Sequence, residues 1–135
     1  MTASAPEEGD VAVEAEGVPG LSTAPPSQFG GPGDRWSPEM LLVGSVADCI
    51  VLSFRAIARA SKFQWTGLSC EVDGTLDRID RVMQFTHFTV RAVLTVPPDA
   101  SEERARMLLE KAGKTCLVSN SLKAELTLDA RIVSE

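Results

Sequence analysis

The segment from Ser37 to Ala60, SPEMLLVGSVADCIVLSFRAIARA, constrains this chain more than any other. Ser37-Pro38-Glu39 reads as a helix start. It offers a serine N-cap, a proline at the first helical position where its missing N–H costs nothing, and a carboxylate in the first turn where the helix dipole favours it. From Met40 the helix is predicted to run to about Ala60. Leu41, Leu42, Val43, Val46, Ala47, Cys49, Ile50, Val51, Leu52 and Phe54 cover almost its whole circumference, whereas a surface helix shows one apolar stripe. Asp48, Arg55 and Arg59 form its one polar edge. Such a helix belongs at the centre of a fold.

The rest of the chain must supply the walls. Residues 1–10 are polar and acidic, with nothing to bury an apolar face, and are expected to be disordered. A single domain is expected over residues 11–135. Val11 to Ala15 alternates as a short strand, and a lead-in rich in proline and glycine follows through Gly33. Gln64–Leu76 and Met83–Val96 alternate and are rich in Val, Thr, Phe and Trp, so they read as two long strands joined as a hairpin through Asp77–Asp80. Ser101, with Glu102 and Glu103, opens a second helix. Its narrower apolar stripe runs through the Met107, Leu108, Lys111-Ala112 and Thr115 positions, with fraying expected at Gly113. Lys123–Val133 alternates as a last strand, with Ala124, Leu126, Leu128, Ala130 and Ile132 on one side. The resulting fold class is α+β, a mostly antiparallel sheet packed on two helices.

Acidic residues outnumber basic ones by 19 to 13, and no Lys/Arg cluster occurs, which argues against a nucleic-acid partner. The N-terminus lacks the basic and apolar regions of a signal peptide. The apolar run from Met40 to Ala47 is broken by Gly44 and Ser45 and stopped by Asp48, so no membrane span is expected either. Three cysteines without a C-x-x-C spacing, and one histidine, imply a reducing, cytoplasmic setting and no metal.

Of these cysteines, Cys49 lies mid-helix with Ser45 and Ser53 one turn away, and Cys116 falls just past the second helix. Each alone reads more readily as a small buried residue than as a reactive thiol. Cys70 alternates in a strand and reads as a structural thiol. His87 reads as a sheet-face residue without a second ligand. Trp36 and Trp65 fit either a pocket wall or core packing.

Two segments taken together are more specific. FGGPGDRWSPEMLLVGSVADC, from Phe29 to Cys49, resembles the motif of the OsmC/Ohr family (osmotically inducible protein C and organic hydroperoxide resistance proteins). In that motif a Gly-Gly turn leads to Ser/Asn-Pro-Glu, a Leu-rich helix, and a cysteine ten residues after the glutamate. AGKTCLVSNSL, from Ala112 to Leu122, is similar to the family's second motif, a cysteine followed by a small Ser-Asn loop and a leucine that opens the final strand. The resemblance spans roughly residues 11–133. It implies an OsmC-like intertwined homodimer with active sites at the subunit interface. It also implies a thiol peroxidase that reduces organic hydroperoxides to alcohols, in which Cys49 becomes a sulfenic acid and Cys116 resolves it. Glu39 would take a charged role beside them. No cofactor is implied beyond an external dithiol reductant, of the lipoyl type.

The chain departs from the family in lacking any Arg or Lys before Arg35, where family enzymes carry an arginine that holds the peroxidatic thiolate. Arg35 is the candidate substitute. Leu117 stands where a proline often follows the second cysteine. The alternative is a binding protein for a hydrophobic small molecule, or a redox sensor, on the same dimeric fold. A third possibility is a purely structural dimeric module. The distinguishing feature is whether anything activates the Cys49 thiolate.

Overall fold

The computed structural model describes residues 1–135, which gather into two compact units, 1–42 and 43–135. In the first unit three short strands, β1 (Thr2–Ser4), β2 (Val11–Glu14) and β3 (Leu21–Thr23), form an antiparallel sheet in that order. Thr2–Ser4 pairs along β2, with Ala3 opposite Val13, and so gains main-chain hydrogen bonds without needing an apolar face. After a 3-10 turn at Ser27–Phe29, the Gly-Gly turn has a steric cause. Gly30 adopts φ 85°, and a Cβ at Gly31 would lie 1.6 Å from the Pro25 carbonyl oxygen.

Helix α1 runs from Pro38 to Ala60, as its cap predicts. The buried Ser37 Oγ accepts the Met40 N–H at 3.1 Å, and the Ser37 carbonyl accepts the Leu41 N–H at 3.0 Å.

In the second unit β4 (Gly67–Ile79) and β5 (Val82–Val96) make a long antiparallel hairpin. Its turn falls later than expected, on Asp80 and Arg81, both at positive φ as a two-residue connection requires. Helix α2 (Glu102–Thr115), a single turn α3 (Leu117–Asn120) and strand β6 (Glu125–Ser134) follow. Strand β6 pairs parallel with β5, because the chain returns to the same end of the sheet through a helical crossover. The sheet of this unit, ordered β4-β5-β6, is thus mixed, while the other strand pairings of the chain are antiparallel and the fold is α+β.

The core lies on one face of that sheet. Phe88, Val90, Ala92, Leu94 and Val96 of β5 are buried. Ala92, Leu94 and Val96 share a cluster with Phe54 and Ala58 of α1 and with Ala105, Leu108, Leu109 and Ala112 of α2. Phe54 packs edge-on to Trp65 at 5.4 Å between ring centroids, with Trp65 half-buried against the core. The α2 stripe is shifted from the expected one. Met107 points outward and Gly113 is buried inside the helix, where a Cβ would come within 3.1 Å of Leu128 Cδ2. Gly113 serves close helix–sheet packing rather than fraying.

Length and apolar content alone would let α1 cross a membrane. Within the single chain it is also less enclosed than its composition demands. Only Val46, Ile50, Phe54 and Ala58, every fourth residue, are buried, while Leu52 remains 49% exposed. One three-stranded sheet covers one side of a helix, so the central placement expected from sequence is not reached by one chain.

Candidate active site

Cys49 sits in the second unit on α1, half-buried, next to the buried Ile50, with Ser53 Oγ one turn on at 3.9 Å from its sulfur. Cys116 is fully buried and ends α2 while capping α3, and its sulfur accepts the Ser119 N–H at 3.5 Å. The Ser-Asn loop explains itself locally. Ser119 Oγ donates to the Cys116 carbonyl at 3.2 Å, Asn120 Nδ2 to the Lys114 carbonyl at 3.0 Å, and Ser121 Oγ to the Leu117 carbonyl at 2.8 Å. These bonds hold α3 against the end of α2.

This placement brings together two thiols that are 67 positions apart in sequence. Burial pushes the Cys49 thiol up. That effect is outweighed by hydrogen bonds from the Val118 N–H, the Cys116 side chain, the Ser53 hydroxyl and the Leu117 N–H, which together hold it below the ordinary cysteine value. The groups that favour the thiolate are hydrogen-bond donors, chiefly main-chain amides, rather than a cation. Sequence reasoning missed them. Every residue but proline has an N–H, so no residue type announces one.

Glu39 and Arg35 belong to the first unit. Glu39 lies in the first turn of α1, and its Oε2 is buried without a hydrogen-bond partner. Arg35 is engaged by two carboxylates, Nε with Asp10 at 2.8 Å and Nη1 with Asp34 at 3.2 Å. Trp36 is 52% exposed. His87 lies on the polar sheet face, its Nε2 2.8 Å from Thr127 Oγ1, as its strand position suggests. No group of three His, Cys, Asp or Glu side chains is gathered closely enough to hold a metal ion.

Cys70 stands opposite Ala92 in the β4–β5 register, and burial pushes its thiol up to about 11. At pH 8 only about one such thiol in a thousand is ionised. Timed alkylation with iodoacetamide followed by peptide mapping should therefore label Cys49 first and Cys70 far more slowly. Comparable labelling of the two would contradict this environment.

The fold is α+β, with one thiol half-buried on a long helix and a second buried at a helix junction. The OsmC-like protein family matches residues 31–131, and the chain belongs to that family. It is 30% identical to peroxiredoxin OsmC of Escherichia coli (strain K12) over 99 residues, covering 73% of this chain and 68% of the relative. It is 26% identical over 112 residues to the uncharacterized protein YmaD of Bacillus subtilis (strain 168), covering 79% and 75%. Its fold is similar to that of an organic hydroperoxide resistance protein from Elizabethkingia anophelis. That structure has a TM-score of 0.77 at 20% identity, with 99% of this chain and 94% of the other covered.

Proposed function

We propose that this protein is a cysteine-based peroxidase that reduces organic hydroperoxides to alcohols, with Cys49 as the peroxidatic and Cys116 as the resolving residue. The observation that carries this reading is the Cys116 thiol and the Leu117–Val118 amides converging on a Cys49 sulfur whose thiolate they favour. Family membership and the peroxiredoxin relative support the peroxide chemistry. Cys49 is the more exposed of the two thiols, so an incoming peroxide meets it first, whereas Cys116 at 0% exposure is shielded until a sulfenic acid forms beside it. The thiolate attacks the terminal peroxide oxygen, the O–O bond breaks, and an alcohol leaves. Cys116 then displaces hydroxide from the sulfenic acid to give a disulfide, which an external dithiol of the lipoyl type reduces.

The charged roles of Glu39 and Arg35 rest in this reading on the family resemblance alone, and the Arg35 charge is already shared by Asp10 and Asp34. A cytoplasmic location fits a cycle that needs a dithiol reductant and free thiols. The test is stopped-flow oxidation with cumene hydroperoxide and with hydrogen peroxide, followed by thiol counting. One Cys49–Cys116 disulfide per chain and faster reaction with the organic peroxide are expected. Cys70 in the major disulfide, or a thiol as slow as free cysteine, would refute it and favour the binding or redox-sensing alternative.

The working unit in this reading is a homodimer. Leu52 on α1, and Ile79, Val82 and Met83 at the tip of the β4–β5 hairpin, are each about half exposed, an apolar surface of the kind a second copy covers. Sedimentation at micromolar concentration should give twice the chain mass. A folded monomer there would remove the dimer from the proposal.

A further inference from the structure

We propose that the open pocket between the end of α1 and the start of α2 binds a small monocarboxylate with an apolar body, held by Arg104 and Lys62. The site is separate from both thiols and does not rest on the peroxidase reading. Cys49 lies about three helical turns before Ala60, and Cys116 stands at the far end of α2.

A pocket of about 520 Å³ opens between Lys62, Phe63 and Gln64, which follow α1, and Pro97, Ala100 and Arg104, which lead into α2. That volume is within the range of small-molecule sites. Arg104 is fixed there from three directions. Its main-chain N–H donates to Ser101 Oγ at 3.2 Å, its Nη2 donates to the Ser61 carbonyl at 2.6 Å, and its guanidinium lies over the Phe63 ring, 5.7 Å from the centroid. Arg35 and Arg91 are each neutralised by two carboxylates, and the ion pairs of the structure all fall on those two residues. Arg104 and Lys62 therefore carry no counter-ion, in a chain with 19 acidic residues to 13 basic. A positioned guanidinium whose other N–H groups are free is a fork for a carboxylate.

Lys62 is an independent sign. It sits at φ 50° just past α1, where its N–H donates to the Arg59 carbonyl at 3.1 Å and the Phe63 N–H donates to the Ala58 carbonyl at 2.8 Å. This helix-ending geometry favours glycine, because a Cβ at positive φ is crowded. The turn itself has no use for a lysine side chain, and backbone strain held in place by the surrounding fold is a mark of function. What the residue adds is a second cation on the pocket wall.

The lining also selects the class of anion. Asp99 shares the wall with Lys62 and Arg104, so the three charges sum to +1 and a monoanion is matched better than a dianion. Phe63, Pro97 and Ala100 provide the apolar side. A carboxylate on an apolar body satisfies both halves, whereas a phosphate ester brings a second charge toward Asp99.

Isothermal titration of the full chain at low salt and neutral pH, with benzoate, benzamide and phenyl phosphate as probes, tests this. Benzoate is expected to saturate one site per chain at about millimolar concentration, the range open to so small a ligand. Benzamide, alike in shape but uncharged, should bind about tenfold more weakly or not at all. Arg104→Lys keeps the charge and loses the fork, while Lys62→Gly removes the second cation and relieves the positive φ. Each should weaken benzoate by about fivefold or more. Lys62→Gly should do so with its thermal midpoint unchanged or raised, which separates lost recognition from lost folding. No saturable benzoate binding, equal affinity for benzamide, or unchanged affinity in either variant would overturn the inference. Tighter binding of phenyl phosphate than of benzoate would overturn the carboxylate class, and a lowered midpoint in Lys62→Gly would overturn the strain that singles out Lys62.

Discussion

Cys49→Ser is expected to abolish hydroperoxide consumption, with a loss of about 10³-fold or more, because the substitution removes the sulfur that attacks the peroxide in the proposed mechanism. A serine hydroxyl keeps the size and a donor at the position but lacks an accessible anion near neutral pH, and the donors around Cys49 are arranged for a thiolate. Cys116→Ser should behave differently. It keeps a single turnover that ends at sulfenic acid, so one equivalent of peroxide is consumed slowly and cycling stops. Cys70→Ser should leave turnover unchanged, since Cys70 faces Ala92 in the sheet with its thiol pushed up to about 11. Steady-state assays with a dithiol reductant check all three. Substantial activity in Cys49→Ser would move the chemistry to another residue.

Leu117→Pro should raise the pH at which Cys49 ionises, because it removes one of the two amide donors to that sulfur. The backbone accepts the change. Leu117 is the first residue of α3, a position where proline is tolerated, and Cys116 before it is extended at φ −59°, ψ 110°. The leucine side chain is 74% exposed, so little packing is lost. The Leu117 amide is the weakest of the donors acting on Cys49, so the shift is upward and smaller than loss of the Val118 amide would give. The sign follows from the lost donor. With less support for the anion the pKa rises, and at neutral pH a smaller fraction of Cys49 is thiolate. Part of that loss is offset because a more basic thiolate is more nucleophilic, so the rate at neutral pH should fall by about threefold. Above the new midpoint the variant should match or slightly exceed wild type. A pH–rate profile of single-turnover oxidation reads this directly, and an unchanged midpoint would remove the Leu117 amide from thiolate stabilisation. Arg35→Ala is the informative comparison, since Asp10 and Asp34 already hold that guanidinium.

The sequence by itself determined what depends on neighbours along the chain. Ser37, Pro38 and Glu39 set the start of α1, and Ser101 set that of α2 by accepting the Arg104 N–H at 3.2 Å. The alternation in β5 and β6 marked which face is buried, and two motifs in order marked the family and its two cysteines. Tertiary structure alone decided the rest. Whether β6 runs parallel depends on which strand the α2 crossover returns to, which no residue of β6 encodes. An apolar helix such as α1 carries no mark of the side it buries, so the Val46–Ile50–Phe54–Ala58 stripe emerged only from packing against the sheet. The sequence directed attention to a cation for Cys49, because charged side chains are visible in a sequence. The donors that act on its sulfur include the main-chain N–H groups of Leu117 and Val118, nearly 70 residues away, and only the folded chain aims them.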